Sequence, residues 1–84
     1  MTNEQIEKYV EVKQRKNYPL NIHFKDRDTV TGLFIQGNDY GELKSKNLWR
    51  IVSHAKLEEW KQTQNMNLSR IFNGMSFTRL TEEQ

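Results

Sequence analysis

One change of period constrains this chain more than any other feature. Before Pro19, the only proline in the 84 residues, apolar residues recur at helical spacing. Ile6, Tyr9 and Val10 stand at i, i+3 and i+4. Directly after Pro19 the period becomes two: Leu20, Ile22 and Phe24 alternate with Asn21, His23 and Lys25, as in a half-buried strand. A proline inside a helix removes a backbone donor and clashes with the preceding turn, so the two patterns belong to separate elements. A helix is therefore expected within residues 1–16, with β structure over 20–80. Thr2 and Gln5 have the spacing of a capping box. Glu4 and Glu7 lie near the positive end of the helix dipole, and Lys13, Arg15 and Lys16 near the negative end, before Asn17 and Pro19 close the element.

The remaining pattern reads as short strands. Asp26-Arg27-Asp28 is a polar turn, and Thr29 to Ile35 is a second strand rich in β-branched and aromatic residues. Gly32 in its middle marks a bend or bulge. Gln36 to Gly41 is a loop. Glu42 to Val52 reads as a long third strand. Leu43, Ser45, Asn47, Trp49 and Ile51 share one face, with Lys44, Lys46, Leu48 and Arg50 on the other. Ser53 to Asn67 is a short helix, with Leu57 and Trp60 three apart and Ser53 as a possible cap, or a long loop. Leu68 to Phe72 is a fourth strand and Met75 to Leu80 a fifth, joined by Asn73-Gly74, a strong hairpin signal. The expected fold is mostly β with an N-terminal helix: one domain, 1–84, built on a five-stranded antiparallel sheet that curls into a small barrel.

Composition removes whole classes. No cysteine is present, so disulfide scaffolds and thiolate metal sites are excluded. No apolar run approaches the ~20 residues that span a bilayer, and the polar start Met1-Thr2-Asn3-Glu4-Gln5 is unlike a signal peptide, so a cytoplasmic protein is expected. Nucleophile elbows, phosphate loops, dinucleotide fingerprints and zinc motifs are missing. His23 and His54 lack a metal-ligand spacing. The expectation is a non-enzyme with no catalytic residue, no metal and no cofactor. A formal charge of +2 permits a polyanionic partner without requiring one.

Two segments are similar to the Sm-like family of small SH3-like barrels. Leu20 to Val52, with Val30-Thr31-Gly32-Leu33 at its centre, resembles the family's first motif. Ile71-Phe72-Asn73-Gly74-Met75-Ser76-Phe77 resembles its second. Where the family usually has aspartate, an aromatic residue and asparagine, this chain has Asn38, Tyr40 and Glu42, and Asn73 replaces the usual arginine. The departures concern base recognition more than the fold. The resemblance implies a homo-oligomeric ring of about five to seven subunits, the fourth strand of one subunit pairing with the fifth of the next. It also implies single-stranded RNA bound around the pore without catalysis.

On that reading Tyr40 stacks on a base, Lys44, Lys46 and Arg50 contact phosphates, and Asn38, Glu42, Asn73 and Gly74 line the pocket. Plainer assignments stand beside these. Tyr40 can fold back onto the barrel, and the three cations can be a solvated strand face. Trp49 is expected in the core, and Trp60 at a subunit contact. Two other readings remain open: an SH3-like barrel serving as a structural or protein-interaction module without RNA, and a dimeric α+β domain.

Overall fold

The computed structural model describes residues 1–13 and 19–82. Gln14, Arg15, Lys16 and Asn17, on which the basic helix end and its stop were expected, lie outside the described residues, as do Glu83 and Gln84 of the tail. Helix α1 runs Asn3–Lys13. Its capping box forms in both directions: the Thr2 amide donates to Gln5 Oε1 at 3.0 Å, and the Gln5 amide donates to Thr2 Oγ1 at 3.3 Å. Two otherwise orphaned helix-end donors are satisfied this way. Ile6 and Val10, one turn apart, are fully buried.

Five strands follow: β1 (Leu20–Phe24), β2 (Val30–Phe34), β3 (Leu48–Ser53), β4 (Ser69–Asn73) and β5 (Phe77–Glu82). They form one sheet in the order β4-β3-β2-β1-β5, and every pairing is antiparallel. Alternate side chains of β2 and β3 pack on opposite faces. Phe34, Trp49 and Ile51 join Ile6, Val10, Leu20, Ile22, Phe77 and Leu80 in the larger cluster beneath α1. Leu33, Ile35 and Val52 point the other way and are covered by Leu57 and Trp60. The sheet rolls: Phe24 on β1 and Phe72 on β4 have two strands between them in the order, yet their rings lie 5.9 Å apart. Gly32 opposes Leu20 on one side and Ser53 on the other. A Cβ there would lie 2.6 Å from Ile51 Cγ2 and 2.8 Å from the Val52 carbonyl oxygen. Close approach between strands explains this glycine. The register break falls elsewhere, between His23 and Phe24 opposite β5.

Two segments differ from the sequence expectation. Glu42 to Val52 is not one strand. Tyr40–Ser45 forms helix α2, Lys46 and Asn47 turn, and only Leu48–Ser53 is extended. Glu42-Leu43-Lys44 are good helix formers, and Asn47, at φ 59°, takes the left-handed conformation that stops a helix. Asn73-Gly74 is not a two-residue hairpin either. The strands it joins lie at opposite ends of the sheet, and Gly74–Ser76 is a 3₁₀ turn. A hairpin of that kind needs positive φ at Asn73 and Gly74, and neither residue has it. The Asn73 side chain instead accepts from the Met75 amide at 2.9 Å, and the fifth strand starts at Phe77.

Residues after β3 are helical, as one of the two expectations had it: a 3₁₀ turn, His54–Lys56, leads into α3, Leu57–Thr63. Ser53 makes no side-chain cap. Trp60 is buried within the chain beside Leu57 and Val52, not held out for a subunit contact. No helix among the described residues is long and apolar enough to cross a membrane.

Candidate nucleic-acid interface

The α2 segment carries most of the expected site residues. Tyr40 opens the helix half-buried, its ring edge-on to Trp49 with centroids 6.1 Å apart. Its hydroxyl is buried without a hydrogen-bond partner, and burial, aided by the Glu11 charge, pushes its pKa up. Lys44 Nζ sits 5.3 Å from the Tyr40 ring centroid. The same ammonium donates to Glu7 Oε1 at 3.0 Å and lies 3.5 Å from Glu11 Oε1, so Lys44 ties α2 to α1. The hydrogen bond to Glu7 holds the Lys44 ammonium protonated above its ordinary range.

Lys46 pairs with Glu42 one turn back at 3.6 Å, both exposed. Arg50, on β3, donates from Nη2 to Asp39 Oδ2 at 2.6 Å and from Nη1 to Ser69 Oγ at 3.3 Å. That hydrogen bond holds the Asp39 carboxyl below its usual range. The expected one-sided basic stripe therefore does not form. Its three cations lie on a helix, a turn and a strand, and each meets a carboxylate. No acidic residue occurs between Leu43 and Leu57, but α1, Asp39 and Glu42 supply acids from outside that span.

Asn38 is exposed in the turn before α2. Gly74 is brought to the α2–β3 turn by a residue that sequence reasoning gave no role, Asn47. The Gly74 amide donates to the Asn47 carbonyl at 2.8 Å. Asn47 Nδ2 donates to the Met1 carbonyl at 3.0 Å, and Asn47 Oδ1 accepts from the Trp49 indole at 2.9 Å. The Met1 nitrogen donates to the Gly74 and Phe77 carbonyls at 3.0 and 2.7 Å. A Cβ on Gly74 would collide with Asn47 Oδ1. Asn47, Gly74 and Met1 thus form a knot that seats the α1 entry against the 3₁₀ turn.

A different surface gathers three cations beside a single lining carboxylate, Asp26. Arg27, from the β1–β2 turn, places its guanidinium carbon 5.1 Å from the Phe24 ring centroid and 5.8 Å from that of Phe72. Arg70 of β4 and Lys56 of the turn before α3 line the adjoining clefts. None of the three has an ion-pair partner among the described residues. In the sequence Arg27 is flanked by Asp26 and Asp28, and the other two cations are distant, so no local run announced the cluster.

His23 is satisfied on both ring nitrogens, by Thr81 Oγ1 at 3.1 Å and Thr29 Oγ1 at 3.2 Å. Among the described residues no three His, Asp or Glu side chains gather as a metal site. No family model, curated protein or solved structure matches the chain.

Proposed function

We propose that the protein is a non-catalytic, Sm-like (SH3-like) small barrel that works by self-assembly. The β4 edge of one copy pairs with the β5 edge of the next, forming a closed homo-oligomer. The observation that carries this reading is the strand order, which leaves β4 and β5 as the two outer strands. An outer strand offers a row of free backbone donors and acceptors to another chain. An apolar side chain is exposed on the β4 edge, Ile71 at 48%, and Met75, in the 3₁₀ turn two residues before β5, is 59% exposed. The two edges are different surfaces, so the contact is head-to-tail and closes into a ring when the rotation between copies allows it. A core this small gains stability from such pairing. Ile71→Lys places a charge on the β4 edge without touching the buried clusters. Sedimentation of this variant should give a folded 10.1 kDa monomer. An Ile71→Lys chain that sediments like the wild type overturns the pairing.

A second reading, single-stranded RNA binding by the assembly, is favoured by the unpaired Arg27, Lys56 and Arg70 around Phe72. It draws no support from Tyr40, Lys44 or Arg50, whose side chains are engaged within the chain. Anisotropy titration with U-rich and A-rich RNAs at two salt concentrations tests it. Salt-sensitive binding supports the reading, and no binding to either removes it.

A further inference from the structure

We infer that the cleft between the end of β2 and α3 is a binding site for a small apolar monocarboxylate. The ligand is an aliphatic acid whose carboxylate meets Lys61 and Gln36 and whose chain lies against Leu33, Ile35, Trp60 and Met66. The cleft has a volume of about 710 Å³, within the roughly 300–1,000 Å³ of small-ligand pockets. None of its lining residues belongs to β4 or β5, so it stands apart from the edges assigned to assembly and does not depend on that reading.

The fold makes the wall apolar. Leu33 and Ile35 point away from the larger cluster and pack with Leu57 and Trp60 of α3. The helix stops at Thr63, where Gln64 takes φ 54° and its Nε2 donates to the Trp60 carbonyl at 3.2 Å. Met66, two residues on, is 37% exposed, and its Cε lies 2.8 Å from where a Gly37 Cβ would stand. Gly37 thus leaves room for Met66, an unbranched thioether side chain that adapts to what it touches. An aliphatic chain against this wall gains by leaving water, in proportion to the apolar area it buries.

The rim sets the charge of the ligand. Lys61, Gln36 and Gln64 line the cleft and are exposed. Among the lining residues Lys61 alone is charged, and Glu58 and Glu59 of the same helix do not line the cleft. Lys61 has no ion-pair partner among the described residues. The Gln64 amide nitrogen is engaged by Trp60, which leaves Lys61 and Gln36 as the donors for an anion. One cation beside an apolar wall complements one negative charge on an apolar body. A polyanion draws its affinity from several cations in a row, and this cleft has one.

The test is isothermal titration calorimetry of the full chain with hexanoate, octanoate and decanoate, each below its micelle concentration, and with 1-octanol. Decanoate should saturate one site per chain with a Kd below about 1 mM. Affinity should rise about two- to fourfold with each added methylene. Lys61→Gln should weaken octanoate about three- to fivefold and leave 1-octanol unchanged. Met66→Glu, which sets a carboxylate beside the wall, should weaken octanoate by about tenfold or more. Lys8→Gln, on α1, serves as the control and should bind as the wild type does. All three positions are exposed, and an unchanged far-UV spectrum and Tm keep the comparison valid. Absence of saturable decanoate binding to the wild type overturns the proposal. Binding of 1-octanol as tight as that of octanoate, with Lys61→Gln altering neither, makes the cleft an unselective apolar surface and also overturns it. A site count that falls below one per chain as the protein self-assembles shows that a second copy covers the cleft, which overturns the proposal while leaving assembly standing.

Discussion

Replacing Asn47 by alanine should cost far more than a half-exposed turn position ordinarily would. The residue holds three things at once. Its backbone sits at φ 59°, where an alanine Cβ is disfavoured by about 1 kcal/mol or more. Its Oδ1 is the acceptor for the indole N–H of Trp49, a residue 2% exposed, and leaving that donor unpaired costs about 1–3 kcal/mol. Its Nδ2 also holds the Met1 carbonyl. The expected destabilisation of Asn47→Ala is about 2–4 kcal/mol, a large share of the ~5–15 kcal/mol typical of a domain. Tm should fall by roughly 10 °C or more. Asn47→Gly loses the same side-chain bonds but relieves the backbone, so it should lie about 1 kcal/mol closer to the wild type. Urea unfolding followed by tryptophan fluorescence, at one fixed protein concentration, measures all three chains. If Asn47→Ala unfolds within 0.5 kcal/mol of the wild type, or Asn47→Gly is no better than Asn47→Ala, the role given to this residue is wrong.

Gly32→Ala should destabilise by about 1–3 kcal/mol, because the new methyl meets the Val52 carbonyl at 2.8 Å and backbone cannot step aside as a side chain can; thermal unfolding reads this directly. Tyr40→Phe should be neutral or slightly stabilising, since it deletes a buried hydroxyl that has no partner. A loss above about 1 kcal/mol in the same assay would reveal a bond the structure lacks. The Asp39–Arg50 pair sets an acid limit. Arg50 depresses the Asp39 carboxyl below its ordinary 3.8, so the stabilisation is complete above that pH and disappears as pH falls through the lowered value. Asp39→Asn should therefore be less stable than the wild type near neutrality, with the gap closing in acid. A gap independent of pH would refute the pairing.

The elements that local pattern controls were legible. Thr2 and Gln5 announced the start of α1 and the Leu20-Ile22-Phe24 alternation announced β1, whereas Leu57 with Trp60 allowed a helix after β3 without deciding it against a long loop. Errors arose where tertiary contacts outweighed local signals. Alternation through Leu43, Ser45 and Asn47 mimicked a strand, but two of those three residues are polar. Tyr40 packing on Trp49 and Lys44 reaching Glu7 and Glu11 favour a helix there. Asn73-Gly74 carries a hairpin signature, but Gly74 is drawn inward by the Asn47 carbonyl, and the chain crosses to the far edge of the sheet. The ion pairs that occupy Lys44 and Arg50, and the gathering of Arg27, Lys56 and Arg70, join residues from separate elements. No window along the sequence contains them.

The most direct test of self-assembly through the sheet edges is the mass of the wild-type protein by native mass spectrometry, with light scattering over a range of concentrations. Edge pairing that closes predicts a single species at a fixed whole-number multiple of 10.1 kDa. A particle of 10.1 kDa that persists at high concentration, or a ladder of masses without an end, would contradict it.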